Sequence, residues 1–183
     1  MYCPKGLGIR PARDRVKESL FNILGGLVTD SSVLDLFAGT GAVGIEALSR
    51  GAKSCLFVDS NASAISYLQR NLRNAGLESR AKILKMDVFR LLPHLVKKGM
   101  YFELAFVDPP YKTIEDAKDG KRLIQLLEDL AEHRILREPG IVVLEYRAKG
   151  AGIPEEMGRL VRFDERSYDA THLGFWHLSN SET

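Results

Sequence analysis

The stretch Ser32 to Gly51, SVLDLFAGTGAVGIEALSRG, constrains the fold of this chain more than any other. It opens with an apolar run, Val33 to Phe37, that carries one acid, Asp35. Gly39, Gly41 and Gly44 follow at G-x-G-x-x-G spacing. A helical pattern then begins, with Val43, Ile45, Ala47 and Leu48 packing side by side. Strand, glycine turn and helix predict the start of a nucleotide-binding βαβ unit. Glycine accepts positive φ and has no Cβ, so the backbone can turn sharply and approach a ligand closely. The helix that follows aims its unbonded N–H groups at that ligand. A glycine-rich turn of this kind also occurs in other α/β proteins, so the residues around it decide what it does.

Two of those residues are acids. Asp59 ends a second apolar run, Cys55 to Val58, about twenty residues after Gly39, where a carboxylate can take ribose hydroxyls. Asp35 lies in the approach to the glycine turn. A carboxylate there fits poorly with a pyrophosphate at the helix N-terminus, because two anions would be close together. It fits a ligand that presents an ammonium or sulfonium, and S-adenosylmethionine has both. The segment DLFAGTGAVGIEA also resembles the first motif of the class I methyltransferases. That resemblance implies a methyltransferase rather than a nicotinamide-dependent oxidoreductase.

With 183 residues, the chain is expected to form one domain, 1–183, with a substantial core. Hydrophobic content of 45% and charged content of 27% are those of a soluble globular protein. No apolar run is long enough to span a bilayer and no signal peptide is visible. Two cysteines, Cys3 and Cys55, cannot build a disulfide framework, and Cys55 reads as a buried strand residue, which points to a reducing cytoplasm. His94, His133, His172 and His177 lie far apart, so no metal site is expected. The net charge of +2 does not by itself argue for nucleic acid.

Along the chain, Arg10-Pro11 leads into a helix with Val16, Leu20, Ile23, Leu24 and Leu27 on one face, with Gly25-Gly26 as an early stop. Residues 1–30 are expected to pack on or near the cofactor site. The other face of that helix is basic. Arg10, Arg13, Arg15 and Lys17 are candidates for RNA phosphate contact, or simply a solvated face. A second strand spans Ser54 to Val58. Ser60 or Asn61 can cap the next helix, which carries Ile65, Leu68 and Leu72 and ends at Gly76. A third strand, Lys82 to Met86, precedes Asp87, and a short helix runs from Val88 to Val96. A fourth strand, Glu103 to Val107, is followed by a polar loop from Lys112 to Gly120 and a helix with Leu123, Leu126, Leu127 and Leu130. A fifth strand covers Gly140 to Glu145. Leu160 to Arg166 and His172 to Leu178 read as an antiparallel pair. The alternation predicts an α/β, doubly wound, mostly parallel sheet with that antiparallel pair at its C-terminal end.

The fourth strand runs directly into Asp108-Pro109-Pro110-Tyr111. The residue before a proline is held extended, and neither proline has an N–H. The loop therefore presents carbonyls and a carboxylate with little competing donor, which suits a substrate bearing two N–H donors on one nitrogen. Tyr111 adds a flat ring on which a base can stack, worth roughly 1–3 kcal/mol. The plainer alternative is a rigid strand exit with Tyr111 as packing.

DPPY resembles the fourth motif of methyltransferases that act on nucleobase amino groups. The whole chain is similar to the bacterial 16S rRNA guanine-N2 methyltransferases of the RsmD type. The residues carrying this are RPARDRVKESLFNIL at 10–24, VLDLFAGTGAVGIEALSRGA at 33–52, FVDSNASAI at 57–65, FVDPPY at 106–111, VVLEYR at 142–147 and RSYDATHLGFW at 166–176. Relatives typically have a longer N-terminus, read RPT where this chain has Arg10-Pro11-Ala12, and carry a tyrosine-glycine pair where it has Tyr168-Asp169. The resemblance implies methyl transfer from S-adenosylmethionine to a guanine N2 amine in rRNA or the assembling small ribosomal subunit; the sequence leaves the oligomeric state open, with a monomer favoured. It implies catalytic roles for Asp108, Pro109, Pro110 and Tyr111. It implies cofactor contacts from Asp35, Phe37, Gly39, Gly41, Asp59, Ser60, Asp87 and Val88, with Asp59 and Asp87 otherwise serving to start helices. Arg10, Arg13 and Asn22 would line the entrance. The alternatives are an adenine-N6 or other nucleobase-amine methyltransferase, an NAD-dependent oxidoreductase, and a non-catalytic RNA-binding module.

Overall fold

A computed structural model describes residues 11–147 and 152–179, with side chains from residue 15 onward. In chain order the elements are α1 (Pro11–Leu24), β1 (Ser32–Leu36), α2 (Ala42–Ser49), β2 (Ser54–Asp59), α3 (Ala62–Ala75), β3 (Ala81–Lys85), α4 (Leu92–Lys98), β4 (Phe102–Val107), α5 (Tyr111–Glu115), α6 (Ala117–Glu132), β5 (Leu136–Arg147), β6 (Glu156–Met157), β7 (Leu160–Tyr168) and β8 (Thr171–Leu178). Short 3₁₀ turns occupy Gly25–Val28, Glu78–Arg80 and Val88–Arg90. The fold is α/β, and its strands belong to a single mixed sheet with a parallel core and antiparallel C-terminal strands. The residues group into two compact units, 1–88 and 89–183.

In the first unit, β1 pairs in parallel with β2, and β2 with β3. Strands covered on both faces read as continuous apolar runs. Accordingly Val33, Leu34, Leu36, Cys55, Leu56, Phe57 and Val58 are all buried. β3 is only partly covered, with Lys82 and Lys85 exposed. The α3 helix begins where Asn61, not Ser60, caps it, accepting from the N–H groups of Ser63 (2.9 Å) and Ala64 (3.1 Å). It ends at Gly76, whose φ of 67° satisfies the left-handed C-terminal position. The α1 face departs from the expected one. Val16, Leu20 and Leu24 are buried as expected, but Leu27 is 45% exposed and Val28 is buried instead. The helix stops at Leu24: Gly25 turns to φ 50° and the chain continues as a 3₁₀ turn over Gly25–Val28, so Leu27 no longer follows the α1 face.

In the second unit, β4 pairs in parallel with β5, and β8 pairs antiparallel with both β5 and β7. The antiparallel pair expected at 160–178 is present, and β6 adds a two-residue strand against β7. Trp176 is fully buried, and its indole N–H donates to the Pro154 carbonyl at 3.2 Å. The β7–β8 turn puts Asp169 at φ 51°, the left-handed region that favours glycine, which explains why a glycine suits that position. Two expectations change here. The stretch from Lys112 to Gly120 is not a polar loop: it holds α5 and the first turn of α6. Asp116 caps α6 by accepting from the N–H groups of Lys118 (3.0 Å) and Asp119 (2.9 Å). The helix expected over Val88 to Val96 divides at Leu91, into a 3₁₀ turn and α4, because Pro93 can occupy only the first turn of the new helix.

Candidate functional site

The first unit gathers the glycine turn and the acids around it. After β1 the chain enters Phe37 at φ 59°, a left-handed conformation that costs a non-glycine residue roughly 1–3 kcal/mol and clusters at ligand-binding turns. Ala38 N–H donates to the Val58 carbonyl (3.1 Å), and Gly41 N–H returns to the Ala38 carbonyl (2.8 Å), closing the turn. Gly39 and Gly41 take φ values of 55° and 82°. Among the described residues only the Phe37 carbonyl oxygen, at 3.9 Å, lies within contact of where a Gly39 Cβ would be, so they leave this backbone open to an incoming group. Gly44 has a different reason to be glycine. A Cβ there would meet Phe57 Cε1 at 2.4 Å, Asp35 Oδ2 at 2.7 Å and Cys55 Sγ at 2.8 Å. It lets α2 lie directly on β1 and β2.

Asp35 is 3% exposed, and its Oδ2 accepts the Gly44 N–H at 3.0 Å. Gly44 is the third residue of α2, so this N–H is one of the donors that a helix start leaves unbonded. The protein's own carboxylate thus takes one of the N–H groups that the start of α2 would otherwise leave unbonded. Burial, and then the nearby charge of Asp35, push the Cys55 thiol well above its ordinary pKa, so it stays an inert buried thiol. Asp59 stands at the end of β2 and links two segments. Its Oδ2 accepts from Gly39 N–H and its Oδ1 from Asn61 N–H, both at 2.7 Å. Ser60 is exposed. Asp87 is exposed just before the 3₁₀ turn that buries Val88.

One contributor was missed from the sequence. Asn71, in α3, is 5% exposed and donates from Nδ2 to the Thr40 carbonyl at 3.0 Å, holding the glycine turn from below. A signal was available: Asn71 lies three residues after Leu68, on the apolar face.

Of the basic candidates, Arg10 and the Arg13 side chain lie outside the described residues. Arg15 is exposed. Lys17 is half-buried, with Nζ 3.4 Å from Glu46 Oε2, and Glu46 also binds Arg50 at 2.8 Å. Burial raises the Glu46 pKa, but the Arg50 hydrogen bond and the charges of Lys17 and Arg50 more than offset this and leave it lowered. Asn22 is exposed.

The second unit carries the acceptor loop. β4 delivers Val107, 2% exposed, to Asp108, which is half-buried; Pro109 is buried, Pro110 exposed and Tyr111 half-buried. The Pro110 carbonyl accepts the Thr113 N–H at 2.8 Å and so opens α5. That bond engages one lone pair of the Pro110 carbonyl in the local fold. The Tyr111 ring is covered on one face by the Arg147 guanidinium, 3.8 Å from its centroid, a contact not visible from the sequence. Among the described residues there is no group of three or more His, Cys, Asp or Glu placed to hold a metal, and no helix is long and apolar enough to cross a membrane.

This chain is 37% identical to YlbH of Bacillus subtilis, named as a candidate rRNA methyltransferase, over 93% of this chain and 89% of that one. It is 36% identical to the Escherichia coli K12 protein named ribosomal RNA small subunit methyltransferase D, over 69% of this chain but 60% of that protein. The solved structure of yhhF, described as a candidate methyltransferase from Escherichia coli, superposes with a TM-score of 0.79 and 27% identity, covering 96% of this chain and 91% of that one. The model of the family described as conserved hypothetical protein 95 matches residues 1–177, and the chain belongs to that family.

Proposed function

We propose that this protein transfers the methyl group of S-adenosylmethionine to the exocyclic N2 amine of a guanine in 16S rRNA. The names of YlbH and of the Escherichia coli relative support rRNA as the substrate. The observation that carries the cofactor reading is the Asp35 carboxylate on the Gly44 N–H. A dinucleotide pyrophosphate at that helix start would face an anion already there, whereas the ammonium of a methionine moiety would be attracted to it.

The residues present fit such a cofactor. Gly39 offers open backbone at positive φ, and Asp35 and Asp59 offer carboxylates at the carboxyl ends of β1 and β2. Asp35 would face the methionine amino group. Asp59 would take the ribose hydroxyls with lone pairs beyond those used for Gly39 and Asn61. Asp87 and Val88 would border the adenine, and Phe37, Gly41 and Ser60 complete the set. When bound, the cofactor supplies a methyl group activated by its sulfonium.

The protein's part is then to make a poor nucleophile competent. The lone pair of an exocyclic amine is delocalised into its ring. Asp108 and the Pro109 carbonyl hold the two amine hydrogens and favour a pyramidal nitrogen. The Asp108 carboxylate stabilises the positive charge that develops there. Holding the amine in one orientation lowers the entropic barrier. Tyr111 stacks the base, which must be exposed or flipped out of its helix. The nitrogen gains the methyl as the sulfonium–methyl bond breaks to leave a neutral thioether, and it then gives one proton to solvent. Arg10, Arg13, Arg15 and Lys17 supply phosphate contacts, so neutralising two of them lowers RNA affinity and flattens its salt dependence.

The test is nucleoside mass spectrometry of rRNA from cells with and without the protein, alongside calorimetry with S-adenosylmethionine and NAD. Loss of an N2-methylguanosine, with binding of S-adenosylmethionine alone, is the expected result. Loss of a methyladenosine instead would move the substrate to an adenine amine. Saturable NAD binding without any response to S-adenosylmethionine would overturn the reading.

A further inference from the structure

Tyr111 enters the proposed chemistry as a platform for a base, yet its ring already carries a planar group. The Arg147 guanidinium lies 3.8 Å from the ring centroid, at stacking distance. The arrangement follows from strand pairing. Val107 of β4 is in register with Leu144 of β5, so the chain four residues past one and three residues past the other reaches the same sheet edge. Arg147 is the last residue of β5 and is exposed. Among the described residues it makes no ion pair.

We infer that Arg147 is a nucleotide-positioning residue: it stands in for the target base on Tyr111 and, when the base arrives, moves to the phosphate of that nucleotide. A guanidinium is flat, always charged, and forked to match phosphate oxygens, so it can serve in both places. Stacked on Tyr111 it keeps the ring from packing elsewhere. Displaced, it needs a counter-charge, and a nucleotide that brings its base to Tyr111 brings a phosphate with it. Lysine would supply the charge without the planar stack. That the nucleotide is a methyl acceptor rests on the function proposed above; the contact with RNA does not.

The experiment measures binding of a short guanine-containing single-stranded RNA over a range of salt concentrations for wild type, Arg147→Ala and Arg147→Lys. Single-turnover methyl transfer to 16S rRNA, S-adenosylmethionine affinity and thermal unfolding are measured in parallel. Arg147→Ala should weaken RNA binding about tenfold, the size of one lost charge-assisted contact. It should also reduce the salt slope by about 0.7, the value for one phosphate on a single strand. Cofactor affinity and unfolding temperature should hold, and the loss in transfer should fall on the enzyme concentration needed for half-maximal rate more than on the maximal single-turnover rate. Arg147→Lys should restore the slope and only part of the affinity. An unchanged affinity and slope in Arg147→Ala, or a gain in affinity, would overturn the inference. A wild-type protein that does not bind RNA would also overturn it. A wild type that binds RNA but methylates none refutes the methyl-transfer reading alone, and the affinity and slope still decide the role of Arg147.

Discussion

Replacing Gly44 by alanine should destabilise the protein, although alanine is ordinarily the better helix residue. In a helix interior the exchange gains about 0.8–1 kcal/mol from backbone entropy. Here the added Cβ would lie 2.4 Å from Phe57 Cε1, 2.7 Å from Asp35 Oδ2 and 2.8 Å from Cys55 Sγ. Phe57 and Cys55 are 0% and 1% exposed and sit on a central strand, so neither can swing aside. Overpacking of this kind costs about 1–3 kcal/mol. Moving Asp35 Oδ2 away also weakens its bond to the Gly44 N–H, and hydrogen bonds to charged groups are worth about 1.5–3 kcal/mol. The sum is a net loss of about 1.5–5 kcal/mol, or roughly 3–20 °C in Tm for a chain of this size. Thermal and urea unfolding would measure it. Gly26→Ala is the control, because none of the described residues lies within 4 Å of its Cβ position, and it should be neutral or slightly stabilising. A Gly44→Ala protein as stable as wild type would refute the close seating of α2 on the strands and the capping role given to Asp35.

Asn71→Ala leaves the Thr40 carbonyl without its buried donor, so stability should fall by about 1–3 kcal/mol and S-adenosylmethionine binding should weaken in calorimetry. Asp59→Ala should weaken cofactor binding by at least the roughly 1.5–3 kcal/mol of a hydrogen bond to a carboxylate, because Gly39 loses its anchor as well as the ribose its acceptor. Glu46 has a pKa lowered from its ordinary 4.5, so its contribution is present above the unfolded value and lost as pH falls through the folded one. Glu46→Gln should therefore be less stable than wild type at neutral pH and converge with it in acid, read as Tm against pH between about 3 and 6.

The sequence made the parallel core legible because buried strands must be apolar runs, and Val33–Leu36, Cys55–Val58 and Leu104–Val107 are such runs. The glycine turn and the strand exit at Asp108-Pro109 were legible because positive φ and proline each restrict the backbone within a few positions. Polar helices were harder. Ala117–Glu132 begins in a stretch of charged residues whose exposed face hides the period, although Asp116 followed by Asp119 is a capping pattern that marks its start. Side-chain roles that join distant segments were not legible. Asn71 reaches Thr40 across 31 positions. Arg147 meets Tyr111 only because β4 and β5 are neighbours in register. Asp59 reads from its spacing as a candidate ribose ligand, and spacing alone does not reveal that its carboxylate holds the turn through Gly39 and Asn61.

The most direct test of the account is single-turnover transfer of labelled methyl to 16S rRNA by Asp108→Ala, with S-adenosylmethionine affinity measured in parallel. The substitution removes both the acceptor and the charge that support the amine nitrogen. The account predicts a rate lower by a factor of about 100–1000, equivalent to about 2.7–4 kcal/mol, with cofactor affinity unchanged and Asp108→Asn between the two. A wild-type rate in Asp108→Ala would contradict it, and so would a loss of cofactor binding together with a loss of stable folding.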